Sequence, residues 1–265
     1  MSAAADRLGP ARLATTVGEM GVLFLRTIRA TVRTPRAFLP ELTHQLAFVL
    51  RIGWLPMLLA AFAISYGPAG IQVAGFLNLF GAIDRMGGLF AIAVVREFAP
   101  LVCAIVVAGV AGTAICADLG ARKVREELDA LSVLAVDPVI HLVVPRFLAL
   151  VLVTMVLNAY AIVSGVAAGV LVAVVNGSTP GVFLHAFFVN AAPLEIAAAT
   201  VKTAIFGGII AIVCCHQGLN AAGGPAGVGR AVNRAVVLSF LAIGLVDYVF
   251  GAALLAFAPE LSAVR

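Results

Sequence analysis

Four charged side chains, Arg96, Glu97, Lys202 and Asp247, stand within stretches that are otherwise apolar. A charge at the centre of a membrane-spanning helix costs about 3 kcal/mol even on lenient insertion scales, so such groups face protein or water and pair with one another. Glu97 is expected to pair with Lys202, and Arg96 with Asp247. Two chemistries fit these residue types. The pairs can simply clamp helices together. Alternatively, Glu97 and Lys202, with Arg96 and Asp247 beside them, line a central cavity and meet the polar headgroup or carboxylate of a lipid.

A second constellation is Asp118-Leu119-Gly120-Ala121-Arg122-Lys123-Val124-Arg125-Glu126-Glu127-Leu128-Asp129-Ala130-Leu131. Val124, Leu128 and Leu131 recur at helical spacing and are expected to share one face. Arg122, Lys123, Arg125, Glu126, Glu127 and Asp129 crowd the rest with both charge signs. A helix this short and polar cannot span. It suits docking into a groove on a soluble partner, and equally a solvated connector with weak surface ion pairs. Asp137-Pro138 then reads as a helix cap followed by proline at the first helical position.

Other chemistry is missing. The glycine-rich run Gly223-Gly224-Pro225-Ala226-Gly227-Val228-Gly229-Arg230 lacks the Gly-Lys-Ser/Thr ending of a phosphate loop, so no ATP site is expected in this chain. Cys214-Cys215-His216 is a poor metal set with no second Cys/His cluster. Cys103 and Cys116 read as small packing residues. His44, His141 and His185 are single. Neither Gly-x-Ser-x-Gly nor His-Glu-x-x-His occurs, so no hydrolytic catalyst is visible.

The elements that must position these residues follow from hydropathy. The chain has 265 residues, 63% of them hydrophobic and 11% charged. An ordinary soluble domain carries about 25% charged residues. A disulfide scaffold and a disordered chain are both excluded by this composition, which leaves an integral membrane protein. Charge-free runs of 32, 20 and 48 residues cover 52–83, 98–117 and 147–194, and a spanning helix needs about 20. The longest run is split by the turn cluster Asn176-Gly177-Ser178-Thr179-Pro180-Gly181. Five spans are predicted near 46–78, 88–117, 143–175, 195–216 and 231–257. The first should bend at Gly67-Pro68. The apolar piece 182–192 is too short to span and should lie on the surface or pack into the bundle.

Five spans put the termini on opposite sides. Twelve of the 17 Lys and Arg fall in the N-terminal 44 residues, the loop after span two with Arg146, and the loop before span five. The positive-inside rule therefore places the N-terminus in the cytoplasm and the C-terminus outside. The net charge of +4 follows from this topology, and no basic-aromatic module suggests nucleic acid. The first 40 residues lack the apolar core and cleavage site of a signal peptide. In residues 1–44, Arg26, Arg29, Arg33 and Arg36 share one helical sector beside Val17, Phe24, Leu25, Ile28 and Val32, the pattern of an interfacial amphipathic helix; a solvated tail is the alternative. Small residues at Gly165/Ala168/Gly169 and Ala108/Gly112 permit close helix approach.

Taken in order, Arg96-Glu97-Phe98-Ala99-Pro100, Ala108-Gly109-Val110-Ala111-Gly112-Thr113-Ala114, Glu126-Glu127-Leu128-Asp129-Ala130-Leu131, Val136-Asp137-Pro138, Val144-Pro145-Arg146, Gly227-Val228-Gly229-Arg230-Ala231-Val232 and Asp247 resemble the MlaE/YrbE family of ABC-transporter permeases over roughly 45–255. The Ala/Val-rich composition would suit an actinobacterial YrbE. The resemblance implies an all-α membrane domain over 45–258 with five spans, an N-terminal interfacial helix, and a coupling helix at about 120–134 that docks on a separate ATPase. It implies a permease subunit, not an enzyme. That subunit binds no cofactor itself, ATP and Mg being held by the ATPase partner. It also implies a second permease, identical or paralogous, an MCE-domain protein assembly, a lipid substrate (phospholipid, fatty acid or sterol) and the inner membrane as location. Where the family often has Gly-Arg, this chain has Gly109-Val110, so one positive charge is missing there. On residues alone an ion-coupled secondary transporter and a non-transporting membrane scaffold stay open, although a carrier usually shows repeated halves and none is visible.

Overall fold

The computed structural model describes residues 10–34 and 38–257. Every regular element among the described residues is helical. An amphipathic helix α1 (Pro10–Arg33) precedes the first apolar helix α2 (Leu39–Leu79). Next come α3 (Ile83–Val124), the short α4 (Glu127–Val133), α5 (Val139–Val175), the short α6 (Pro180–Asn190), α7 (Pro193–Leu219) and α8 (Gly224–Phe257). Helices α2, α3, α5, α7 and α8 are long and apolar enough to cross a membrane. They match the five predicted spans, each extended by several residues. The chain is thus an all-α membrane protein. Because the five spans alternate in direction, one end of the bundle carries α4 and the other carries α6.

Local chemistry explains the breaks. Pro68 cannot donate its backbone N–H, and the helix widens into a π turn over Ser65–Ile71 before resuming as α2. The interruption expected at Gly67-Pro68 is therefore a π-helical stretch within one continuous element. At the turn after α5, Gly177 takes φ 90°, which residues with a Cβ rarely adopt. Thr179 then caps α6, its Oγ1 accepting from the Val182 N–H at 3.4 Å. Asp137 Oδ1 accepts from the Val139 N–H at 2.9 Å, as the Asp-Pro pair predicts.

Helices α3, α5 and α7 form the packed centre, with α2 laid on α5 and α8 on α7 and α3. The small residues are sites of close approach. A Cβ on Gly112 would lie 2.9 Å from Cys214 Sγ. One on Gly165 would lie 2.8 Å from Val94, and one on Gly169 2.6 Å from Phe90. Helix α6 packs into the bundle by burying Phe183 and Phe187, its backbone so close to Gly87 that a Cβ there would meet the Phe183 carbonyl at 2.1 Å. On α1, Leu23 and Thr27 are buried, whereas Val17, Leu25 and Val32 are exposed, as are Arg26, Arg29 and Arg33. The apolar sector is therefore free to enter a bilayer. Arg36 lies outside the described residues.

Candidate functional site

The intramembrane charges converge on one face of α7. Glu195 and Lys202 are two helical turns apart and so point the same way. Arg96 and Glu97 lie in a π-helical stretch of α3, Ala91–Phe98, a widening common where a helix must present side chains irregularly. Glu97 Oε2 accepts from Lys202 Nζ at 3.1 Å. Asp247 of α8 brings its Oδ1 to 2.8 Å from the same Nζ. Arg96 donates to Glu195 instead.

Pairing of Glu97 with Lys202 thus agrees with the sequence expectation, and pairing of Arg96 with Asp247 does not. Lys202 reaches both carboxylates from its long stem, which leaves Arg96 to the first turn of α7. Sequence reasoning missed Glu195 because it stands where the fourth span was expected to begin, a position that reads as interfacial. Helix α7 starts earlier, at Pro193, and Glu195 is buried.

Exposure ranks the cluster. The Lys202 side chain is 2% exposed, Asp247 20% and Glu97 43%. Lys202 is enclosed by its partners, so Glu97 is the member that opens to the outside. With three carboxylates and two cations, the formal charge of the cluster is −1. Counted along the helices, Lys202, Asp247, Arg96 and Glu97 sit about 13–21 Å from the α6 end and Glu195 only about 3 Å from it.

A second ion network occupies the α4 end. Arg146 is buried, donates to the Leu142 carbonyl at 2.8 Å, and pairs with Asp118 at 2.7 Å. Asp118 also takes Arg122 at 3.2 Å, and Arg122 lies 3.9 Å from Glu127. Lys123 pairs with Asp129 at 3.0 Å, and Arg125 with Glu127 at 2.7 Å. The Glu127 carboxylate, by hydrogen bond and charge, pushes the Arg125 guanidinium further up from its already high ordinary value.

The 120–134 segment differs from a single helix. Residues up to Val124 continue α3, Arg125 ends it, and Glu126 takes a left-handed conformation at φ 62° before α4 begins. Val124 therefore does not share a face with Leu128 and Leu131. Leu128 is 6% exposed and turned into the bundle, so it is not available to a partner, while Val124, Val133 and Leu134 are exposed.

Cys103, Cys116, Cys214 and Cys215 are free and buried, consistent with packing roles. No cluster of metal-ligating side chains occurs among the described residues. His216 Nε2 lies 3.1 Å from Glu19, tying α7 to α1.

Five apolar spans with ion pairs buried between them define a multi-pass membrane protein. The chain belongs to the MlaE permease family, whose model, described as Permease MlaE, matches residues 42–253. A probable ABC transporter permease protein of Synechocystis is 37% identical over 67% of this chain and 68% of its own length. One from Rickettsia bellii is 30% identical over 89% of this chain and 91% of its own. The chloroplastic protein TRIGALACTOSYLDIACYLGLYCEROL 1 of Arabidopsis thaliana is 34% identical over 68% of this chain, which spans about half the length of that protein.

Proposed function

We propose that this chain is the membrane subunit of an ATP-driven lipid transporter. A separate ABC ATPase binds at the α4 end, and a second permease, identical or paralogous, completes the membrane part. An MCE-domain assembly stands at the opposite, external end. The location is the cytoplasmic (inner) membrane, with the N-terminus cytoplasmic and the C-terminus external. Support for a lipid substrate comes from the Arabidopsis relative, whose name is that of a glycolipid. The apolar composition of the spans agrees with this.

The observation that carries the reading is the joint at the α4 end. Charged residues Arg122, Lys123, Arg125, Glu126, Glu127 and Asp129, with the exposed apolar tip Val133-Leu134, project where a soluble partner can grip them. The same segment is bolted to α5 through Asp118 and the buried Arg146. Movement of the segment is thereby delivered to two spans at once. At the other end, Glu97 is the accessible member of the buried cluster and the group that meets a polar headgroup. Lys202 and Asp247 hold it in place, and Arg96 with Glu195 closes the cluster against α7.

The test is association. The chain and its ATPase are co-expressed and purified through a tag on the ATPase. Wild type should co-purify, and a deletion of residues 122–131 should not, while still inserting in the membrane. Undiminished co-purification of the deletion, or lipid transfer by the purified chain in vesicles without any ATPase, overturns the reading.

A further inference from the structure

Arg51 stands apart from both ion clusters. It lies in α2, is exposed, and has no hydrogen bond or ion pair among the described residues. Its depth can be read from packing. A Cβ on Gly53 would meet Leu157 of α5 at 3.2 Å, so these two residues are level. Phe147, ten residues before Leu157, carries the edge contact with Phe24 of α1 at 6.0 Å. Both helices run the same way, so Arg51 lies about 12 Å deeper than α1 at a rise of 1.5 Å per residue. Helix α1, with arginines beside an exposed apolar sector, marks the level of the membrane interface. Arg51 is therefore inside the leaflet on the α4 side.

An arginine at that depth needs an anion or water. Its surroundings are apolar. Two adjoining cavities of about 450 and 370 Å³ run along the seam between α2 and α5. Leu50, Trp54, Val156 and Tyr160 wall the deeper one, and Arg51 is the only charged residue lining either. Side chains on a helix lean toward its N-terminus, which for α2 is the interface, so the guanidinium reaches back toward the headgroup level. Trp54 and Tyr160 add amphipathic rings of the kind that border lipid headgroups.

We infer that the α2–α5 seam is a binding site for an anionic phospholipid of the surrounding leaflet, with Arg51 on its phosphate and an acyl chain along Leu50, Trp54 and Val156. Charge complementarity selects this occupant: the groove presents one cation over an apolar wall, and the amphiphile presents one phosphate above a chain. The site is separate from the Lys202 cluster and does not depend on what that cluster does.

Trp54 is the only tryptophan in the chain, so its fluorescence reports on this groove alone. The purified full chain is reconstituted in phosphatidylcholine vesicles containing dibrominated phosphatidylglycerol or, separately, dibrominated phosphatidylcholine, whose bromines quench a touching indole. Dibrominated phosphatidylglycerol should associate with the groove about fivefold more strongly, the gain expected from one basic residue against an anionic lipid. Arg51→Gln should bring the ratio close to one, and Arg51→Lys should keep most of it. A ratio near one in the wild type overturns the proposal, and that comparison needs no variant to fold. So does a preference that survives in Arg51→Gln, which would be a general effect of net charge. Absence of quenching by either lipid means that protein covers the groove, and stronger preference for a dibrominated fatty acid means that a carboxylate, not a phosphate, is the ligand. Both of those results also overturn it.

Discussion

The two ion networks are built around the same unit, a buried cation facing a half-exposed carboxylate, yet they sit in different solvents. Lys202 and Arg146 are each 2% exposed, and Glu97 and Asp118 are each 43% exposed. Around Lys202 the two partners come from two other spans, so the network joins three apolar helices. Around Arg146 the chain of charges continues through Arg122 and Glu127 to an exposed segment where water screens each pair. The first network can only hold or bind, because its charges have nowhere else to go. The second can transmit, because its outer members are cheap to rearrange. Under the proposed function the same chemical pair serves as a lock in one place and a linkage in the other.

The sharpest way to break this contrast is Lys202→Met. Glu97 and Asp247 would face each other without a cation, and breaking a buried pair from one side costs about 3–5 kcal/mol. A large fall in the unfolding midpoint in detergent is expected. Combining it with Glu97→Gln and Asp247→Asn should restore most of the stability while lipid transfer by the assembled transporter stays low. Recovery of transfer as well would reduce the cluster to a clamp. Asp118→Asn should have an intermediate effect, about 1–3 kcal/mol, because Arg146 would keep only the Leu142 carbonyl for a buried charge. The same measurement checks it, and a change as small as that of a surface pair would show that Arg146 finds water. Lys123→Ala should be smallest, about 0–1 kcal/mol, since its pair with Asp129 is well exposed. Its consequence belongs in ATPase co-purification, and a stability loss comparable to that of Asp118→Asn would contradict the linkage reading.

The spans were legible because their signal is additive. Twenty or so apolar residues without charge announce a membrane helix whatever they pack against, and α2, α3, α5, α7 and α8 all follow from that rule. The charges inside them were legible as a set for the same reason, since each one violates the local pattern. Their pairing was only half legible. Glu97 with Lys202 was one of several ways to match signs, and the choice between Asp247 and Glu195 for Arg96 depends on rotation and depth of helices that no spacing rule supplies. Glu195 escaped because a carboxylate at a span boundary looks solvated until its side chain is seen buried against Arg96. Arg51 escaped in the opposite sense, since it sits at the edge of a charge-free run and becomes anomalous only when Gly53 and Leu157 fix its depth.

The 120–134 segment shows the limit of periodicity. Val124, Leu128 and Leu131 are spaced for one face, but the left-handed Glu126 resets the helix between the first and the second. One residue outside the α region rotates everything after it, and nothing in the hydropathy of a Glu-Glu pair marks that residue in advance.

By itself the sequence determined that this chain dissolves in lipid, how many times it crosses and four of the charges that violate its apolar pattern, because transfer from water to hydrocarbon is summed residue by residue along the chain. Only the tertiary structure decided which carboxylate meets which cation and which of them stays open to a ligand. Coulombic pairing acts over a few ångströms between helices far apart in sequence, so it is set by how those helices are turned against one another.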